Sequence, residues 1–357
     1  MLEKLIDSCK KAIFTGLILL SSTCFAQKPL DGVCLSPFRQ GQSPETGVFP
    51  TTEQINEDVF LCNKIAGKVR TYGVDPQLEK IVDFCYDYGL DCYVGSWFNQ
   101  GDSSGDQATV NTLIRIANKD YDTTKAVIVG NEFLLNNGGL ESRLLGLISN
   151  VKQGTSVPVS AGETWSTWRD HPNLANAVDF LGIHVHPYWE NISIDNAAQY
   201  VVDRYNQIKT QYPGKKVVVL ETGWPQHGNT LGAAVPSAEN QRKFIADFTT
   251  LAKQNNIEYT LFEAFDEPWK LKYNPCEDSW GVFYEDRTLK PHLSDVIRYN
   301  LSDINNDGKQ DYFDLKDLSD DWLNTTEVNT AYSLGDINRD RITNFKDFSY
   351  LAESWRK

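Results

Sequence analysis

Between residue 31 and about residue 270, short apolar segments alternate with longer amphipathic ones. No other feature of this 357-residue chain constrains its fold as much. The segments read as strands are 32–38, 68–72, 91–98, 126–132, 157–162, 180–188, 216–221 and 258–265. Helical patterns fall between them at 52–66, 76–88, 107–119, 140–151, 196–212 and 237–255, the first opening on Thr51 or Thr52 with Glu53 close behind. Eight strands alternating with such helical stretches predict an α/β fold of the (β/α)8 TIM-barrel type over residues 27–300. An open doubly wound sheet is the rival architecture, but no glycine-rich dinucleotide loop follows the first strand.

In a barrel of parallel strands the chemistry sits at the strands' C-terminal ends. Those ends carry Arg70 and Tyr72, Trp97, Asn131 and Glu132, Glu163 and Trp165, His184 to Trp189, Glu221 to Trp224, and Glu263 to Trp269. Carboxylates, imidazoles and aromatic rings therefore converge on one rim. Cleaving a sugar acetal needs two carboxyl groups across the bond, one to protonate the leaving oxygen and one to attack or to activate water. Strands four and seven lie on opposite sides of an eight-strand barrel, so Glu132 and Glu221 can face each other across its mouth. Each ends a strongly apolar run, where an idle charge is costly. Nine Trp and sixteen Tyr suit a carbohydrate cleft. The net charge of −14 argues against a nucleic-acid partner, which would need clustered Lys and Arg.

On these residues the chain resembles glycoside hydrolase family 17, the β-1,3-glucanases. The matching pieces are residues 32–38, Val69-Arg70-Thr71-Tyr72, Val129-Gly130-Asn131-Glu132, Leu220-Glu221-Thr222-Gly223-Trp224-Pro225 and residues 262–270, in family order over roughly residues 31–292. The resemblance implies a retaining β-1,3-glucan hydrolase acting by double displacement, with Glu132 as acid/base and Glu221 as nucleophile. It also implies substrate contacts from Tyr72, Asn131, His186, Tyr188, Trp224, Glu263 and Glu267. Strand six departs from the family's Asn and Tyr: alternation puts His184, His186 and Tyr188 on one face, and one of them is expected to orient Glu221. Transfer of the glucosyl unit to another sugar, and a non-catalytic glucan-binding surface protein, are the competing functions.

Residues 303–322 recur at 336–355. Asp303, Asn305, Asp307, Asp311 and Asp314 in the first loop match Asp336, Asn338, Asp340, Asn344 and Asp347 in the second. Oxygen side chains at loop positions 1, 3, 5, 9 and 12 suit Ca2+, which takes six to eight oxygen ligands. Arg341 stands where glycine normally makes the sharp turn, so this residue must adopt an unusual backbone angle. The repeat resembles a type I dockerin over residues 301–357. That resemblance implies a small α-helical module of two calcium loop–helix repeats, and a cohesin-like or cell-surface partner. Positions 10 and 11 hold Tyr312-Phe313 and Phe345-Lys346, where cohesin-binding dockerins often carry Ser or Thr.

Residues 1–26 read as a signal peptide, in which Lys4, Lys10 and Lys11 precede an apolar run at 12–20 and small residues before Gln27. Export to the cell exterior, the periplasm or the cell surface is expected, with no membrane span after cleavage. Five cysteines then remain, an odd number that leaves at least one thiol free.

Overall fold

Thr51 starts the first helix as a capping box: its hydroxyl accepts from the Gln54 amide, and the Gln54 side chain accepts from the Thr51 amide. From there the chain alternates strand and helix in a computed structural model that describes residues 28–135, 137–298, 300–305 and 309–355. The expected signal peptide and Asp307 lie outside the described residues.

The strands are β1 (Val33–Cys34), β2 (Lys68–Arg70), β3 (Asp91–Ser96), β4 (Thr124–Asn131), β5 (Val159–Thr164), β6 (Phe180–His184), β7 (Lys216–Thr222) and β8 (Tyr259–Leu261). All pair in parallel and in chain order, and β1 also pairs with β8, Val33 opposite Leu261, which closes the barrel. The helices of this unit are α1 (Thr52–Ile65), α2 (Lys80–Asp87), α3 (Asp106–Ala117), α4 (Glu141–Gly154), α5 (Trp165–Asp170), α6 (Pro172–Ala177), α7 (Ile194–Gln211) and α8 (Ala238–Gln254). The strand-helix alternation stops after β8. The chain continues there in short 3-10 turns, Pro268–Lys272 and Pro291–Leu293, because proline recurs at 268, 275 and 291.

Tyr93, Ala126, Ile128, Phe180, Val218 and Leu220 fill the lower barrel. At the N-terminal ends of the strands Lys68 pairs with Asp31 and Glu258, Lys216 also reaches Glu258, and the Tyr93 hydroxyl donates to Glu258. With apolar layers and paired charges filling this end, the opposite end is left for a site.

Packing of the Cα trace divides the chain in two, Pro29–Asn300 with Thr325–Ser333 and Leu301–Asn324 with the segment from Leu334 onward. Segment 325–333, expected in the C-terminal module, packs with the barrel. The Tyr332 ring meets Phe60 edge-on, and the Asn56 side-chain amide donates to the Thr330 carbonyl. The second unit is built on α9 (Tyr312–Asp320) and α10 (Phe345–Ser354), each opened by a capping box. Its core is Ile304, Leu318, Ile337 and Leu351, with Leu301, Leu315 and Trp322 against them. Arg341 sits at φ 71°, the left-handed backbone its loop position demands. All five described cysteines are buried, and no disulfide joins any two of them.

Asp58 on α1 is fully buried and receives the Arg287 guanidinium through two bonds of 2.7 Å, while Arg39 adds a third of 2.8 Å. Asp58→Ala should therefore destabilise the barrel by about 3–5 kcal/mol, the cost of leaving a buried cation unpaired. Urea unfolding monitored by tryptophan fluorescence would measure it.

Candidate active site

Alternation along β2 and its extension turns Arg70 and Tyr72 to one face, and closure of the barrel makes that face the interior. Arg70 is fully buried there and Nη1 donates to Glu221 Oε1 at 2.7 Å. Its Nη2 donates to Asn131 Oδ1 at 2.5 Å. The Tyr72 hydroxyl donates to the same Glu221 oxygen at 2.9 Å, and the Arg70 guanidinium lies 3.8 Å from the Tyr72 ring. On β6, His184 places Nδ1 3.0 Å from Glu132 Oε1 and Nε2 3.6 Å from Glu221 Oε1. His186 Nε2 lies 3.2 Å from Glu221 Oε2. Carboxyl oxygens of Glu132 and Glu221 and a nitrogen of His184 all fall within 4.8 Å of one another.

The strands make this crowding possible. Gly162 on β5 has no side chain; a Cβ there would meet His184 Nε2 at 2.8 Å and Arg70 Nη2 at 2.9 Å. Gly130, at φ 81°, turns β4 outward, and Glu132 itself stands at φ 48°, a backbone conformation that non-glycine residues rarely adopt. The Glu132 amide is fixed by donating to the Gly162 carbonyl at 2.7 Å.

Environment separates the two carboxyls. The Glu132 side chain keeps about a quarter of its surface open, whereas Glu221 is 5% exposed. Burial alone would raise the Glu221 carboxyl. The positive influence of His184, the Arg70 guanidinium and the bond from His186 outweigh burial and hold it well below the ordinary carboxylate range. The Tyr72 hydroxyl is raised well above its usual value, burial first, so it remains a donor. The site thus holds an ionised carboxylate clamped by donors beside a more open carboxyl.

The other predicted residues divide. Tyr72, Asn131 and His186 are part of this constellation. Trp224 is not a sugar platform: it is 1% exposed, stacks on Phe244, and donates from Nε1 to the Val235 carbonyl. The residue after Glu221 on its strand is turned to the helix side, and Trp224 follows that face into the core. Tyr188 is also fully buried and its hydroxyl donates to the Asn229 carbonyl, so it supports the wall and leaves no face for a sugar. Glu263 and Glu267 are buried around Lys270, and Glu267 also accepts from Ser36 and Trp269. They form a buried ion cluster, in place of the substrate contacts that the resemblance implies. Trp97 and Trp189, 62% and 38% exposed, are aromatic rings near strand ends that keep an open face.

Three residues lay outside the predicted set. Arg70 was legible as the interior neighbour of Tyr72. Glu277, in the turns after β8, has its carboxyl raised by burial first and by Glu221 and Glu132, against Lys270 and His186; no strand pattern marks it. Glu163, on β5, is fully buried beside Glu132, and burial pushes its carboxyl up to about 8.

Residues 32–281 match the family described as the BtgE/BtgC glycoside hydrolase domain. The chain is 27% identical over 277 residues to a protein of Aspergillus flavus named probable glucan endo-1,3-beta-glucosidase btgC, covering 68% of this chain and 40% of that protein. The chain thus spans about two fifths of that relative's length. The crystal structure of a glycoside hydrolase family 17 beta-1,3-glucanosyltransferase from Rhizomucor miehei is 28% identical, with a TM-score of 0.66, covering 74% of this chain and 97% of that one. An active-site mutant of the Rhizomucor miehei beta-1,3-glucanosyltransferase has been solved with laminaritriose, at 27% identity, a TM-score of 0.66 and the same coverages.

The two perturbed carboxyls give opposite pH dependences. Glu221, depressed in the fold, stabilises above its unfolded value of about 4.5 and loses that contribution as pH falls. Glu163, raised from 4.5 to about 8, contributes fully below 4.5 and loses that contribution as pH rises toward 8. Glu163→Gln should therefore flatten the decline in stability between about pH 5 and pH 8, a difference of several kcal/mol in order of magnitude. Urea midpoints across that range would show it.

Proposed function

This chain belongs to the BtgE/BtgC glycoside hydrolase family, and we propose that it is a retaining β-1,3-glucan hydrolase using Glu221 as nucleophile and Glu132 as acid/base. One observation carries the reading: the two carboxyls approach within 4.8 Å at the ends of β4 and β7. Retaining enzymes hold their carboxyls about 5–5.5 Å apart, whereas inverting enzymes leave about 6.5–9.5 Å for a water. The substrate class draws its support from the relatives, whose names specify β-1,3-linked glucan, and from the laminaritriose complex.

In the first step Glu132 protonates the leaving glycosidic oxygen while Glu221 attacks the anomeric carbon. Arg70 and Tyr72 keep Glu221 ionised and aimed. In the second step Glu132, now a carboxylate, takes a proton from an incoming hydroxyl, which displaces Glu221 from the sugar. Water as that hydroxyl gives hydrolysis; a second sugar gives transfer, the reading favoured by the Rhizomucor miehei relative's name. No step needs a metal. Residues 1–26 are read as the export signal of a secreted enzyme.

The C-terminal repeat is read as a dockerin-like module whose loops take Ca2+. The second loop fits a hard cation by its donor set. Asp336, Asn338, Asp340 and Asp347 gather around backbone amides of residues 338–344, and burial, with Asp347 and Asp340 nearby, pushes the Asp336 carboxyl up to about 6. In the first loop Asp314 plays the part of Asp347, accepting from the Ile304 and Asp311 amides. Bound Ca2+ would supply structural charge neutralisation only. Tyr312, Phe313 and Phe345 are exposed on this module and are the apolar surface through which it would attach to a cohesin-like or cell-surface partner.

Laminarin digestion followed by NMR should release the β-anomer first, and Glu221→Ala should lower turnover by at least about 10⁴-fold while the thermal transition is kept. An early α-anomer, or no cleavage of any β-glucan by the folded protein, would overturn the assignment. Chelation with EGTA should make residues 301–357 newly sensitive to protease while leaving laminarin turnover within about twofold, read by limited proteolysis beside an activity assay.

A further inference from the structure

Glu163 is a carboxyl the double-displacement chemistry does not use, and it is fully buried. One oxygen, Oε1, accepts from the Leu134 amide at 3.0 Å. The other, Oε2, is sealed from solvent and has no hydrogen-bond partner. A buried half-used carboxyl is costly unless it is kept neutral or does a job. Leu134 lies two residues beyond Glu132, in the turn that leaves β4. The residue before Glu163 on the same strand, Gly162, accepts from the Glu132 amide at 2.7 Å. Consecutive residues of β5 therefore grip both ends of the Glu132–Leu134 turn, one through its backbone and one through its side chain. From the far side the Gln100 side-chain amide donates to the Phe133 carbonyl at 2.9 Å, and Arg143, over the Phe133 ring at 5.2 Å, donates to the Gln100 carbonyl at 3.0 Å.

The turn needs such a grip. Glu132 stands at φ 48°, a backbone conformation that costs of order 1–3 kcal/mol and persists only when the surroundings over-determine it. Relaxation of φ at this residue would swing its carboxyl away from His184 and from the leaving oxygen. We propose that Glu163 is the positioning residue of the acid/base, locking the strained Glu132–Leu134 turn so that the Glu132 carboxyl stays within proton-transfer distance of the glycosidic oxygen. Its raised carboxyl, about 8, fits the part, because a neutral group there adds no second negative charge behind Glu132 at neutral pH.

The inference rests on Glu132 being the acid/base, and the experiment separates the two. The full chain and the variants Glu163→Leu, Glu163→Gln and Glu132→Gln are assayed on laminarin and on a 2,4-dinitrophenyl β-laminaribioside. The dinitrophenolate leaves without a proton, and kcat/KM on that substrate reports the first step alone. Glu163→Leu, which keeps bulk and removes the acceptor, should lower kcat on laminarin by roughly tenfold to a hundredfold with KM within about twofold. On the aryl glycoside its kcat/KM should stay within about threefold. Glu163→Gln, which keeps the acceptor, should restore laminarin turnover to within about threefold. If Glu163→Leu fails to fold, Glu163→Asp, which withdraws the acceptor by one methylene, is judged by the same criteria.

Equal losses on both substrates, or no loss on laminarin, would overturn the positioning role. If Glu132→Gln shows no such split between substrates while the unaltered chain cleaves laminarin, the acid/base assignment falls and the inference with it. If the unaltered chain cleaves neither substrate, the proposed function fails first.

Discussion

Inside the barrel mouth Arg70 is almost entirely removed from water, and a guanidinium in that position must be paired or it destabilises the fold by several kcal/mol. Glu221 is the partner, and the pairing reaches from β2 to β7 across the barrel. The same contact does two jobs. It neutralises a charge that closure of the barrel would otherwise strand, and it keeps Glu221 ionised against the pull of burial. Tyr72, Asn131, His184 and His186 complete the shell around that pair, so the machinery and a large part of the upper core are one hydrogen-bonded body.

Two different devices set the two carboxyls. Glu221 is fixed by direct partners on its oxygens, as suits the nucleophile role proposed for it. Glu132 is fixed through its backbone: a left-handed residue two positions after a left-handed glycine, tied to β5 at both ends of its turn. Its side chain meets one imidazole and otherwise opens toward the cleft. That openness suits the acid/base role proposed for it, giving up a proton to one oxygen and taking one back from another.

The strand ends were legible as a rim of functional residues because side chains alternate strictly along a strand. Arg70 with Tyr72, and His184 with His186, could be assigned to one face on that rule alone. Where the chain leaves the strand, the rule lapses. Trp224, Tyr188, Glu263 and Glu267 follow strand ends, yet each is buried. Their neighbours in space, Phe244 on α8, the Asn229 carbonyl and Lys270, come from distant or irregular segments. Glu163, legible only as one more strand-end carboxyl, and Glu277 carry no role in the sequence pattern for the complementary reason: one stands on the outward face of its strand and the other in turns with no period.

By itself the sequence determined the strand-helix alternation, the residues that end each strand, and the twofold repeat at the C-terminus. Each of these is a local pattern, set by side-chain periodicity over a few residues. Only the tertiary structure decided how near the carboxyls of residues 132 and 221 come, which aromatic rings keep an open face, and that residues 325–333 pack with the barrel. Those outcomes depend on burial and on distances between segments far apart in the chain. They are settled only when β1 meets β8 and the closing barrel determines which charges must find partners.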